Sequence, residues 1–247
     1  MDADRLRRII ERVNQGGEPC VEMIKRAEAS GSRLGIFASS FNPPTVAHVE
    51  LVRRAADDFA VDEILVLAGV TNADKHQYDC SLEDRLAMLM LAFRDEATVS
   101  IGLSSHAFYV DMVDALERAH QPQTDLHFIV GFDTFERVLD FEGRYTDRYY
   151  RKFSSRFEAL RYLFARSRFI VASRAGAGID TVRRLVESEP AVPSERVLYL
   201  DFPADLGELS ATDVRNRCRA AEAMTGLVPA TVEQYIQEHR LYGIHQC

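Results

Sequence analysis

The sequence predicts an α/β fold, a doubly wound parallel sheet with helices on both faces. Three observations predict it. Short apolar runs recur between residues 33 and 200, and stretches with helical periodicity lie between them. The runs are also apolar almost throughout, the pattern of strands covered on two faces rather than one. Right-handed crossovers between such strands give a Rossmann-like winding.

Taken in order, residues 4–30 read as one or two polar amphipathic helices, broken at Gly16-Gly17 and stopped at Gly31. Residues 1–32 are therefore expected to be a helical extension of a main domain over 33–247. That domain opens with Leu34–Ala38 (LGIFA) as a buried strand, and Val46–Phe59 follows as a helix. Glu63–Ala68 (EILVLA) is the second strand. Ser81–Phe93 is a helix, with Ser81 and Asp84 spaced as a capping box. Thr98–Leu103 is the third strand, Val110–Ala119 a helix, and Leu126–Gly131 (LHFIVG) the fourth strand. Phe169–Ser173 and Val197–Leu200 are the fifth and sixth. Two helices close the chain, Thr212–Ala223 and Pro229–His239, with Pro229 where a first helical residue belongs.

Residues 144–168 break this rhythm with Arg144, Arg148, Arg151, Lys152, Arg156, Arg161, Arg166 and Arg168 among aromatic residues. Phe153, Phe157, Leu160 and Phe164 fall at helical spacing, so the stretch reads as an inserted amphipathic helix with a solvated Arg face, a phosphate-facing lid being the minority alternative.

Composition excludes several classes. The 247 residues are 47% hydrophobic, enough for a full core. With 30 Lys and Arg against 38 Asp and Glu the net charge is −8, so no global field draws the chain to nucleic acid or anionic lipid. Cys20, Cys80, Cys218 and Cys247 are scattered, which fits neither a zinc ribbon nor a disulfide scaffold. No run approaches 18 apolar residues and the N-terminus is charged, so no membrane span and no secretory signal is expected. A cytoplasmic location follows as an expectation, with self-association into a homo-oligomer left open.

Four segments carry candidate chemistry. Phe37–His48 (FASSFNPPTVAH) follows the first strand and opens a helix. Small Ala38, Ser39 and Ser40 admit a ligand to the backbone. Asn42-Pro43-Pro44 forces a turn, and Thr45 and His48 then sit one helical turn apart at a helix start, where an anion is favoured. A Pro-rich turn with a capping Thr explains the segment equally well by itself. Leu209–Arg217 (LSATDVRNR) starts a second helix, with Ser210 or Thr212 as its cap and Arg215 one turn on. Lys75 lies in the loop after the second strand, and Arg85 lies on the next helix. Gly131-Phe132-Asp133 ends the fourth strand, where Gly admits a ligand and Asp accepts from ribose hydroxyls. Three of these segments follow the carboxyl ends of strands, where an open α/β sheet places its ligand crevice, and the strand order should reverse between the first and fourth strands. No phosphate loop of the G-x-x-x-x-G-K-[ST] kind, no H-E-x-x-H and no nucleophile elbow is present.

FNPPTVAH and LSATDVR together resemble the [H/T]-x-G-H and I-S-x-T-x-x-R signatures of the nucleotidylyltransferase superfamily. The ending LVPATVEQYIQEHRLYG resembles that of nicotinate/nicotinamide mononucleotide adenylyltransferases. Ala38 and Ala47 replace customary glycines, and the chain has no Trp where the nicotinate branch stacks one on the pyridine ring, leaving Phe141 or Tyr145 as substitutes. The resemblance implies adenylyl transfer from ATP to a small phosphorylated acceptor, nicotinate or nicotinamide mononucleotide, in NAD biosynthesis. It implies His48, Thr45 and Arg215 as catalytic. Phe37, Ala38, Ser39, Phe41, Gly131, Asp133, Ser210 and Thr212 would bind ATP, and Lys75, Arg85 and Asp111 the acceptor. Mg²⁺ would travel on the ATP phosphates and waters, with no protein ligands. Two alternatives are a sister enzyme using phosphopantetheine or CTP, and a nucleotide sensor without catalysis.

Overall fold

The computed structural model describes residues 3–15, 17–28, 31–70, 79–120, 123–143, 152–173 and 178–243. The chain runs α1 (Ala3–Gln15), β1 (Val21–Lys25), β2 (Arg33–Ser39), α2 (Val46–Phe59), β3 (Glu63–Gly69), α3 (Leu82–Ala92), β4 (Val99–Ser104) and α4 (Tyr109–Ala119). It continues with β5 (Asp125–Gly131), α5 (Phe132–Leu139), α6 (Arg156–Arg166), β6 (Ser167–Ala172) and α7 (Ile179–Glu187). Last come β7 (Val197–Leu200), α8 (Ala204–Gly207), α9 (Ala211–Arg219) and α10 (Ala230–Glu238), then a turn at Leu241–Gly243.

One sheet takes the order β1-β4-β3-β2-β5-β6-β7, parallel except for β1. Alternate residues of each strand enter opposite cores, as the pleat requires. Leu65, Leu67, Phe128 and Val130 pack under α4 to α7, whereas Ile64, Val66, Ala68 and Ile129 pack under α1 to α3. Burial on both faces explains why the sequence shows runs rather than alternation. A third cluster joins α9 and α10 to Met88 of α3.

β2 pairs with β3 on one side and β5 on the other, so the sheet reverses direction between them, as the sequence predicts. The second N-terminal segment corrects its expectation. Val21–Lys25 is no helix but an edge strand, antiparallel to β4. Its flanks are tied to the same neighbour, with the Cys20 amide donating to Ser105 Oγ at 2.8 Å and the Ala27 amide to Ser100 Oγ at 2.8 Å. An open edge of β4 offers these bonds, and that tertiary gain overrides the weak helical propensity of a short polar segment.

The Arg-rich stretch also differs in detail. In α6 the buried positions are Ala159, Leu160, Leu163 and Phe164; Phe157 is 46% exposed, and Phe153 precedes the helix. The described cations of this stretch meet protein groups. Arg156 donates to the Leu139 carbonyl and to Glu189, Arg168 pairs with Asp125, and Lys152 with Asp114. Among the described residues no helix is long and apolar enough to cross a membrane.

Candidate functional site

A cavity of about 250 Å³ opens at the carboxyl ends of β2, β5 and β6, beside the reversal of strand order. Phe37, Ala38 and Ser39 form one wall, Thr45 and His48 the start of α2, Gly131 and Asp133 the start of α5, and Ser210 the start of α9. The sequence nominated all eight. It missed Arg137, Ser173 and Phe202, which also line the cavity. Ser173 follows the end of the fifth strand and Arg137 stands one turn beyond Asp133, so the strand-end rule could have found both.

Local chemistry fixes the first wall. Thr45 is the N-cap of α2, and its hydroxyl accepts the His48 amide at 3.4 Å. In return the Thr45 amide donates to His48 Nδ1 at 2.9 Å, a capping box closed by an imidazole. An Nδ1 that accepts a backbone N–H carries no proton, so the neutral ring holds its proton on Nε2. Burial lowers the His48 pKa to about 4. The ring packs between Phe37 and Phe41, at centroid distances of 5.7 and 5.2 Å. His48 is thus a neutral, oriented N–H donor near pH 7.

The α2 start offers fewer amides than its position suggests. The Val46 amide donates to the Leu227 carbonyl at 3.0 Å, and the His48 amide is held by Thr45. Side chains therefore carry more of any anion binding here than the helix terminus does. Phe41 corrects another expectation. It is fully buried at φ 44° and packs against His48, so it supports the ring instead of lining the cavity.

Gly131 caps α5 with open space around it. A Cβ built there meets nothing within 4 Å, so a ligand can approach the backbone closely. Ser210 caps α9 and accepts the Asp213 amide at 3.2 Å, which resolves the choice between Ser210 and Thr212. Thr212 Oγ1 instead accepts from Arg215 Nη2 at 3.2 Å.

Arg215 converges on the same turn from the chain's far end. Its Nη1 donates to the Asn42 carbonyl at 2.7 Å, and its Nε lies 2.7 Å from Asp79 Oδ2 as an ion pair. Arg85 does not match its expected role. It is 1% exposed, donating through Nη1 to the Ser40 carbonyl and through Nη2 to that of Gly69. A guanidinium so enclosed joins the ends of β2 and β3 and has no surface left for an acceptor. Asp111 stands in the first turn of α4, beyond the end of β4; burial raises its pKa, while His106 and Lys152 oppose the rise. Lys75 and Tyr145 lie outside the described residues. Phe141 is 48% exposed with the Arg156 guanidinium 5.2 Å from its ring centre. Among the described residues no group of three His, Cys, Asp or Glu could hold a metal ion.

Comparison with known proteins gives the family and the fold. Residues 36–217 match the family described as cytidylyltransferase-like. A probable nicotinate-nucleotide adenylyltransferase of Salinibacter ruber is 30% identical, over 85% of this chain and 97% of its own. A protein of the same description from Gloeobacter violaceus is 29% identical, over 87% of this chain and 98% of its own. The Plasmodium falciparum nicotinic acid mononucleotide adenylyltransferase, solved with NaAD, superimposes with a TM-score of 0.66 at 15% identity, over 87% of this chain and 99% of that one. From the match across most of its length and the two signature turns that meet at one cavity, the chain belongs to the cytidylyltransferase-like family of nucleotidyltransferases.

Proposed function

We propose that the chain transfers the adenylyl group of ATP to nicotinate mononucleotide. An oxygen of the acceptor's phosphate attacks the α-phosphorus of ATP, one new P–O bond forms, and the bond to the β-phosphate breaks to release pyrophosphate. No covalent enzyme intermediate is required, so the protein's work is alignment and charge stabilisation. The observation that carries this reading is the single cavity shared by the His48 ring, the open backbone at Gly131 and the Ser210 cap.

In this reading His48 donates from Nε2 to the triphosphate, beside the Thr45 hydroxyl. Ser210, Thr212 and Arg215 hold the outer phosphates. Gly131 and Asp133 hold the adenosine, and Phe37, Ala38 and Ser39 floor the site. The acceptor approaches from the β3 and β4 ends, where Asp111 stands, and Lys75 is proposed to supply a cation. Mg²⁺ fits as part of the Mg-ATP substrate, carried by phosphates and waters, and there it offsets charge on the leaving pyrophosphate. Bacterial relatives described as nicotinate-nucleotide adenylyltransferases support the acceptor.

Incubation with Mg-ATP and nicotinate mononucleotide should release pyrophosphate and form the dinucleotide. Parallel reactions with nicotinamide mononucleotide, with phosphopantetheine, and with CTP in place of ATP define both specificities. Faster turnover with CTP or with phosphopantetheine would sink the reading, and so would ATP binding without turnover. Gly131→Ala gives a second check. Its Cβ meets nothing within 4 Å, so the melting temperature should hold while KM for ATP rises about tenfold, the cost of crowding a close approach.

A further inference from the structure

Three elements distant in sequence grip the turn between β2 and α2. Arg85 of α3 holds the Ser40 carbonyl, Arg215 of α9 holds the Asn42 carbonyl, and the turn at the chain's end holds the Asn42 side chain. In the last contact Tyr242 Oη donates to Asn42 Oδ1 at 2.8 Å. Cys80 Sγ closes the triangle, 3.1 Å from Asn42 Oδ1 and 3.2 Å from Tyr242 Oη. Asn42 and Tyr242 are both buried, and Tyr242 stands at φ 60°. A non-glycine residue is costly in that conformation, and a buried polar pair needs its partner. Two such features kept for one hydrogen bond, 200 residues apart in the chain, need a reason beyond packing. The packing itself is supplied by the cluster of Val214, Val232, Ile236 and the Tyr242 ring.

We propose that Tyr242 is a positioning residue of the nucleotide site. Its hydroxyl fixes Asn42, three residues before Thr45, and so sets where the Thr45–His48 capping box faces the cavity. The C-terminal helices then act as a clasp on the nucleotide turn. This rests on reading the cavity as the ATP site.

Tyr242→Phe deletes the hydroxyl and keeps the ring. Tyr235→Phe serves as the control. Tyr235 lies on α10, seven residues earlier, and donates to Asp84 Oδ1 of α3 at 3.0 Å instead of to Asn42. Amide exchange over residues 41–48 should speed up in Tyr242→Phe but not in Tyr235→Phe. KM for ATP should rise about fivefold to tenfold in Tyr242→Phe alone, the size of one lost hydrogen bond. The acceptor KM should stay within twofold, while Tyr242→Phe should melt somewhat below Tyr235→Phe, because buried Asn42 loses a donor. Unchanged exchange over the turn overturns the clasp. Equal shifts in both variants overturn it too, because a merely structural contact would give that result. A wild-type chain that ignores ATP overturns the nucleotide reading and with it the positioning role. That failure is told apart by an exchange difference that persists.

Discussion

Helix α2 begins at Thr45 and helix α9 at Ser210, and both beginnings meet at one cavity. Each has a hydroxyl cap and a polar partner three residues on. The partner of Thr45 is His48, a neutral imidazole with a proton to donate. The partner of Ser210 is Asp213, whose Oδ2 accepts the Ser210 hydroxyl at 2.5 Å. A carboxylate in a first turn stabilises its own helix but repels an arriving phosphate. An imidazole there stabilises the turn and still presents a donor N–H at the cavity. In the proposed reaction the cation of the α9 start is Arg215, which is paired with Asp79. Similar local sequence rules thus produce one start whose polar partner is a donor imidazole and one whose polar partner is a carboxylate.

The largest effect should come from the α2 side. His48→Ala should lower kcat/KM for ATP by a factor of about 10² to 10³, or about 2.7–4 kcal/mol, the loss of one donor to developing charge. Steady-state pyrophosphate release measures it, and activity within threefold of wild type would erase the distinction between the two starts. Arg215→Ala should raise KM for ATP by about 1.5–3 kcal/mol equivalent, the worth of a charged hydrogen bond. It should also lower the urea midpoint, because the Asn42 carbonyl loses its partner. Arg215→Lys should rescue neither, since an ammonium cannot bridge Asn42, Thr212 and Asp79 as a planar fork does.

At the α2 start acid should act through His48. The folded pKa of His48 lies near 4, below the usual value of 6.5. Folding therefore favours the neutral ring. That contribution is complete above pH 6.5 and is lost as pH falls towards 4. The urea midpoint of the wild-type chain should drop further between pH 6.5 and 4 than that of His48→Gln; parallel curves would place the titration elsewhere. The smallest effect belongs to α9. Asp213→Asn should weaken the helix by about 0.3–1 kcal/mol while lowering KM for ATP about twofold to fivefold, as the repelling charge goes. A rise in KM would show that Asp213 helps to bind rather than opposes.

Legibility followed the range of the interactions. Residues 34–38, 63–68 and 126–131 announce buried strands because each is apolar on both faces, and both faces are covered. Thr45 and His48 announce a helix start because capping acts within four residues. The strand at Val21–Lys25 gave no such signal, because its partner is an edge supplied by β4, some 80 residues later. Arg85 misled for the same reason. Nothing local distinguishes a cation that meets a substrate from one buried against the Ser40 and Gly69 carbonyls.

By itself, then, the sequence determined the layered α/β winding, the capped turns and eight of the residues that line the cavity, since burial patterns and capping are written within single segments. Tertiary structure decided the rest. It packed the His48 ring between Phe37 and Phe41, enclosed Phe41 and Arg85 outside the cavity lining, and brought Tyr242 to Asn42. Those outcomes depend on which partners arrive from distant segments, and hydrogen-bond geometry exists only once they have arrived.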